Sequence, residues 1–526
     1  METSSPLQRL NVPEEEALMA NSDRDEEDND PLLGRPDNVD RRHLGLWSTT
    51  FLIINRMIGT AIFSVPSSIA GSVGSAGAAI SLWIVGFLLS LCGLMIWLEL
   101  GCLMPRSGGE KVYLETAYPR PPMFAATIFA VHVIFLGFTG IGSVVVAENL
   151  LLVLQLTATD WAKRLMAIIV LASIAAMHIK AKTFTVKLMN LLASVKLVIM
   201  ILIVFAGIRL LTDQNNPRLP HPGASYDHPF AGSSTKIYDY VTALLQVLST
   251  YQGWSNAAYV LDEVKDPQRT LKLAGVLGLG SVGLLYILVN MAYFAGATPE
   301  ELSQTGVTVV ALFIGRVFGE TMQGLTAVLA MLSSLGNIMT SSFAMSRVVQ
   351  SLGREGILPF ASFFADSTAS GSPKGAFLGV FLGPIIMILL IPFGSIYTFL
   401  LSVSQYSMAI VYFAVVVGLF IIRKRMAHPH RTFRVWTSVA LLFLLVQTLL
   451  VVSPFMHEEG SGTTSLPVWL MPLITVLALG GGAVYWYGWR IAMPRMMGFT
   501  WDRRESTMAD GTVMVKWTRR VKDTRD

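Results

Sequence analysis

Apolar runs of about 20 residues recur along the whole chain, and they decide what it can fold into. A run of that length matches the thickness of a bilayer's hydrocarbon core when wound as a helix. The runs fall at roughly 46–70, 76–103, 124–149, 161–179, 184–210, 237–260, 271–297, 322–349, 374–393, 396–422, 433–455 and 466–490. Only 14% of the residues are charged, against about 25% in soluble domains. The expectation is an all-α integral membrane protein with about twelve spans.

Basic residues set the orientation. The segments PRSGGEK, HIKAKTFTVK, EVKDPQRTLK, RVVQSLGREG and RKRMAHPHRTFR alternate with segments that are poor in Lys and Arg. By the positive-inside rule both termini face the cytosol. Residues 1–45 read as an acidic, disordered cytosolic tail, with a dileucine-like DNDPLL at Asp28–Leu33, and 491–526 as a cytosolic C-terminal tail. Neither a signal peptide, a P-loop, a metal-ligand spacing nor an enzyme constellation is evident, so no cofactor, metal or nucleic acid is expected.

Two spans carry their own breaking points. The first contains NRMIGTAIFSVPSSI, with Gly59, Thr60 and Ala61 in a row and Pro66 beyond. The sixth contains LSTYQGWSNAAYV, polar at Ser249, Thr250 and Gln252 within an apolar stretch. Bare backbone at membrane depth survives only where protein buries it or where it lines a cavity. The second break lies five spans after the first, and a repeat with an odd number of spans inverts its second copy. Breaks at matching places in two such halves point to a carrier's central site. Freed N–H groups would hold an anion and freed carbonyls a cation, as a zwitterionic amino acid requires.

One charge stands apart. Lys196 lies near the middle of the fifth span, at a cost of about 2.5–3.5 kcal/mol on insertion scales, which marks it as functional. After the sixth span, Asp262, Glu263 and Arg269 could form an inner gate with Arg106 of PRSGGEK. Glu99 could pair with Arg106 or Lys111, and Asn290 and Asn337 could bond between helices.

Four motifs occur in order: IGTAIFSVP, ELGCLMPRSGGEKVYL, YQGWSNAAYVLDEVKDPQRTL and SRVVQSLGREGILP. With them the chain resembles the amino acid–polyamine–organocation superfamily, and within it the L-type amino acid transporters and the fungal high-affinity methionine permeases. The resemblance implies a LeuT-like fold: a first five-helix repeat over 46–210, an outer loop over 211–236, an inverted repeat over 237–422 and two extra helices within 423–490. It implies a sodium-independent secondary carrier of neutral amino acids, methionine or another large one foremost, working by alternating access with proton coupling or exchange. The plasma membrane is the expected location. An amino acid sensor and a vacuolar or lysosomal exchanger are the alternatives.

By the same resemblance the substrate carboxylate meets N–H groups at Thr60 and Ala61, with Gly59 beside them. The ammonium meets carbonyls of Met57, Ser249, Thr250 and Gln252. Ser249 stands where animal L-type members carry a bulky aromatic gate, so either the site is larger or another residue, such as Tyr251 or Trp254, gates it. Lys196 takes the place of a sodium ion between the first, fifth and eighth spans, with Ser341 and Ser342 as hydroxyl partners. Ala61 stands where the family signature has glycine, which leaves open whether the break uses ordinary backbone angles. The loop after the third span lacks the cysteine through which animal relatives bind a heavy chain, so no disulfide-linked partner is expected.

Overall fold

The computed structural model describes residues 42–137, 140–156, 159–212, 221–305, 309–319, 324–368, 371–390, 393–426, 433–456, 469–507 and 513–521. The DNDPLL segment and most of the N-terminal tail lie outside them. The helices are α1 (Leu46–Met57), α2 (Ala61–Val73), α3 (Ala76–Leu103), α4 (Glu110–Ala117), α5 (Phe124–Val131), α6 (Ile141–Val153), α7 (Asp160–Lys180) and α8 (Lys182–Thr212). There follow α9 (Ile237–Thr250), α10 (Pro267–Gly296), α11 (Leu325–Arg354), α12 (Lys374–Leu390), α13 (Phe393–Arg425), α14 (Thr437–Val452) and α15 (Leu470–Tyr487), with short surface helices between some of them.

Among the described residues, eight helices are long and apolar enough to cross a membrane, or nine if the bent pair α1 and α2 is one span. This is an all-α membrane protein. The first and sixth of the sequence-based spans are interrupted, as expected, and the third is interrupted as well. The third passes from α5 through a wide π-type turn at His132–Leu136 before resuming as α6. The sixth is the 14-residue α9, then a turn, then a 3-10 segment over Trp254–Glu263.

Burial explains why the apolar runs are not amphipathic in the ordinary sense. On α8 the residues Leu191, Val198, Leu202 and Phe205 are more than half exposed, while Lys196 is 3% exposed. The outward apolar side chains suit hydrocarbon, and the mid-span charge of Lys196 turns inward. Between α2 and α3 the chain reverses at Gly74 with φ +72°, where a Cβ would come within 2.3 Å of the Gly232 carbonyl oxygen. Ser75 then caps α3 by accepting a hydrogen bond from the Ala78 N–H, which satisfies one of the helix's orphan donors.

Both ends of the chain depart from plain tails. His43 and Leu44 donate backbone N–H bonds to the Glu263 carbonyl, and Lys265 donates to that of Leu44. The C-terminal segment contains an antiparallel hairpin, β1 (Phe499–Thr507) with β2 (Val513–Val521). Trp517 Nε1 of β2 donates to the Glu355 carbonyl at the end of α11 (3.2 Å), and Arg490 lies 4.2 Å over the Trp517 ring. The alternation of large and charged residues in VMVKWTRRV could have indicated this strand.

Candidate functional site

α1 and α2 meet at a bend of 44°. Ile58 leaves the helical region with φ −75° and ψ 91°, and Thr60 has φ −82°. The break therefore uses ordinary angles open to any L-residue, and Ala61 begins α2 without strain. The special angle belongs to the other break, where Gly253 has φ +124°. A Cβ there would also stand 2.8 Å from Arg56 Cγ. Glycine is thus required at 253 on two counts.

The breaks expose opposite helix ends to one cavity of about 120 Å³. Its walls include Met57, Gly59, Thr60 and Ala61 from one break and Ser249, Thr250 and Gln252 from the other, with Asn337 and Ser341 of α11 opposite. The first-turn N–H groups of Ala61 and Ile62 reach no backbone acceptor among the described residues, and the Thr250 carbonyl receives no backbone donor. An N-terminus with partial positive charge and a C-terminus with partial negative charge therefore share the space. A larger hollow of about 510 Å³ adjoins it, sharing Ser249, Gln252 and Gln405, and reaches Ile237 and Tyr238 at the far end of α9.

Two residues of the expected site turn elsewhere. Tyr251 is fully buried, edge-on to Trp83 with its hydroxyl 3.2 Å from the Trp83 carbonyl. Trp254 packs among Trp97, Tyr412 and Phe443. Helical twist carries the side chains at 251 and 254 away from the face that bears Ser249 and Gln252. Met57 does line the cavity, but its carbonyl accepts from the Tyr286 hydroxyl (2.9 Å) and the Gly59 N–H.

Lys196 sits against the break from behind. Its ammonium donates to the carbonyls of Asn55 (3.0 Å) and Ile58 (2.6 Å). The hydroxyl that joins it comes from Ser333, which donates to Ile58 (3.3 Å) and Gly59 (3.0 Å). Ser341 instead bonds within α11 to Asn337 and Ile338, and Ser342 bonds Met339 and meets His178. The α11 sequence holds two Ser-Ser pairs eight residues apart, and depth in the membrane cannot be read from sequence to within a turn or two. Asn337 also bridges helices, accepting from Arg56 Nη1 (3.0 Å) and donating to the Arg56 carbonyl (2.5 Å). Asn290 bonds its own helix at Tyr286. Arg56 escaped sequence reasoning, although a charge inside an apolar span is the same signal that marked Lys196.

Between the start of α8 and the last turns of α11, Glu263 gathers Arg347, Lys182 and His43. Arg347 Nε lies at 2.8 Å, and Lys182 and His43 at 3.4 Å. Burial pushes the Glu263 carboxyl up, but the charges of Arg347, Lys182 and His43 outweigh it and hold it at about 2. Asp262 exchanges hydrogen bonds with Ser107: its carboxylate accepts the Ser107 N–H, and its own N–H goes to the Ser107 hydroxyl. Arg269 is exposed and takes no part in this cluster, and Arg106 lies within electrostatic reach of Glu355 instead. Glu99 is paired with Arg423 of α13 at 2.5 Å, while Lys111 pairs with Glu355 and Glu115. Glu355 lies 244 residues from Lys111 and Arg423 lies 324 from Glu99, separations that local spacing cannot reveal.

A membrane bundle with two interrupted helices facing one polar cavity is the architecture of a carrier for small molecules. The amino acid permease family model matches residues 44–479, and the chain belongs to that family. It is similar to the high-affinity methionine permease of Saccharomyces cerevisiae, at 31% identity over 92% of this chain and 85% of that one. The low-affinity methionine permease of the same yeast is 26% identical over 91% and 88%. The b(0,+)-type amino acid transporter 1 of Mus musculus is 26% identical over 86% and 91%.

Proposed function

We propose that this permease is a sodium-independent secondary carrier of neutral amino acids, with methionine or another large neutral amino acid as its substrate. The observation that carries the reading is the opposition of two helix ends across one small cavity. The amino acid's carboxylate rests at the N-terminus of α2, at Thr60 and Ala61 with Gly59 beside them. Its ammonium rests at the C-terminus of α9, at Ser249 and Thr250, with Gln252 closing the wall. Its side chain points toward Asn337 and Ser341. The two yeast relatives, both methionine permeases, favour methionine over other neutral amino acids.

Sodium independence follows from Lys196. Its ammonium and the Ser333 hydroxyl satisfy the carbonyls that a bound cation would otherwise hold, so the break needs no metal ion to be stable. Twelve spans in two inverted repeats place both termini in the cytosol, and the protein works by alternating access in the plasma membrane. The Glu263 cluster then closes the inner side. A proton gradient or exchange supplies the energy; under proton symport one charge moved inward gains about 2.3 kcal/mol per 100 mV.

The test is uptake of labelled methionine into proteoliposomes at two pH values, with sodium and with choline in its place. Equal uptake in both salts is expected. Uptake that ceases in choline, or no uptake of any neutral amino acid, would overturn the reading.

A further inference from the structure

Arg56 is an arginine at membrane depth that the scheme above leaves unused. It lies in the last turn of α1, three residues before Gly59. It lines the substrate cavity and also a smaller cavity of about 50 Å³, whose walls include Phe129, Ser255, Tyr259, Met408 and Tyr412. Three contacts fix it in place. Asn337 accepts from its guanidinium and donates to its carbonyl, so both ends of the residue are held by one amide. Its stem passes so near Gly253 that a Cβ there would approach its Cγ to 2.8 Å.

Its charge has no carboxylate partner among the described residues. The buried Glu110 bonds Trp97 Nε1 (2.9 Å), Glu99 is taken by Arg423, and Glu263 by Arg347, Lys182 and His43. A half-buried guanidinium without a carboxylate partner among the described residues keeps a positive potential in the cavity it lines, and partly buried charges are screened less than exposed ones. Asn337, its single side-chain hydrogen-bond partner here, is neutral.

We infer that Arg56 is a charge filter: a fixed cation in the floor of the substrate cavity that admits neutral side chains and rejects cationic ones. The inference rests on the reading of the cavity as an amino acid site. At a separation of roughly 6 Å and an effective dielectric constant of about 20, the repulsion of a second unit cation corresponds to about 100-fold in affinity. A side chain with an electron-rich atom, such as a thioether sulfur, meets a donor rather than a repulsion. Lysine and norleucine share the same straight chain of side-chain carbons and differ chiefly in charge, so they isolate the effect.

The experiment is inhibition of labelled methionine uptake in proteoliposomes by norleucine and by lysine, for the wild type, Arg56→Gln and Arg56→Lys. Gln keeps a donor for Asn337 and removes the charge; Lys keeps the charge. The expected result is lysine inhibiting about 100-fold more weakly than norleucine in the wild type and in Arg56→Lys, with the gap shrinking to under about 10-fold in Arg56→Gln. An unchanged gap in Arg56→Gln would overturn the filter, since a residue that only braces Asn337 would alter uptake without altering this ratio. If that variant does not fold, the wild-type ratio decides, and a value under about threefold overturns the inference. Wild-type protein that carries neither methionine nor norleucine would instead remove the underlying amino acid reading, and the ratio of dissociation constants for lysine and norleucine, fitted from thermal shifts over a range of ligand concentrations, then decides the filter by the same thresholds.

Discussion

Replacing Lys196 with methionine removes the ammonium that holds the first break and keeps the length of the side chain. Two carbonyls lose a donor: Asn55 entirely, and Ile58 in part, because Ser333 remains on it. Hydrogen bonds to charged groups contribute about 1.5–3 kcal/mol each. Partial replacement by Ser333, and the smaller values of roughly 0.6 kcal/mol measured on average between membrane helices, lower the sum to about 2 kcal/mol. At 1.4 kcal/mol per decade that is roughly a 30-fold loss of uptake. Global stability is expected to hold or rise, since a buried charge costing about 2.5–3.5 kcal/mol on insertion is gone. The assay pairs initial uptake rates in proteoliposomes with thermal unfolding and with amide hydrogen exchange over residues 55–61. Uptake within twofold of the wild type, in folded protein, would refute the role of Lys196 at the break.

Other perturbations give equally definite outcomes. Gly253→Ala places a Cβ on a residue at φ +124° and against Arg56, so uptake is expected to fall at least about tenfold. Glu263→Gln leaves Arg347 and Lys182 without their counter-charge, a loss of about 3–5 kcal/mol for a broken buried pair, seen as faster labelling of cysteines introduced on the cytosolic side. Because the Glu263 carboxyl is held at about 2, below its unfolded value near 4.3, its contribution is complete above about pH 4.3 and disappears as pH falls toward 2. Labelling of the wild type should therefore not change between pH 5 and 8 on account of this group. Trp517→Ala removes the N–H bond to Glu355 and the ring beneath Arg490, and proteolysis within 499–521 should accelerate.

The two breaks were legible because each violates the rule for its surroundings: Gly-Thr-Ala and Ser-Thr-Tyr-Gln-Gly are wrong for an uninterrupted membrane helix. Lys196 was legible for the same reason, and so was Arg56 in principle, since both are charges in apolar runs. What sequence could not supply was azimuth and depth. Tyr251 and Trp254 lie within five residues of Ser249, yet helical twist turns them away from its face into aromatic packing. Ser333 and Ser341 are on one helix, and only the height of the break selects Ser333. The long-range ion pairs of Glu99 with Arg423 and Glu263 with Arg347 depend on which helices are neighbours, which no local pattern encodes.

The most direct test is a map of the protein in lipid nanodiscs with methionine bound, at a resolution that shows its two charged ends. The carboxylate is expected at the N–H groups that open α2 and the ammonium at the carbonyls that close α9, with both spans still interrupted. Methionine found elsewhere, or either span wound continuously through the bilayer, would contradict the central claim.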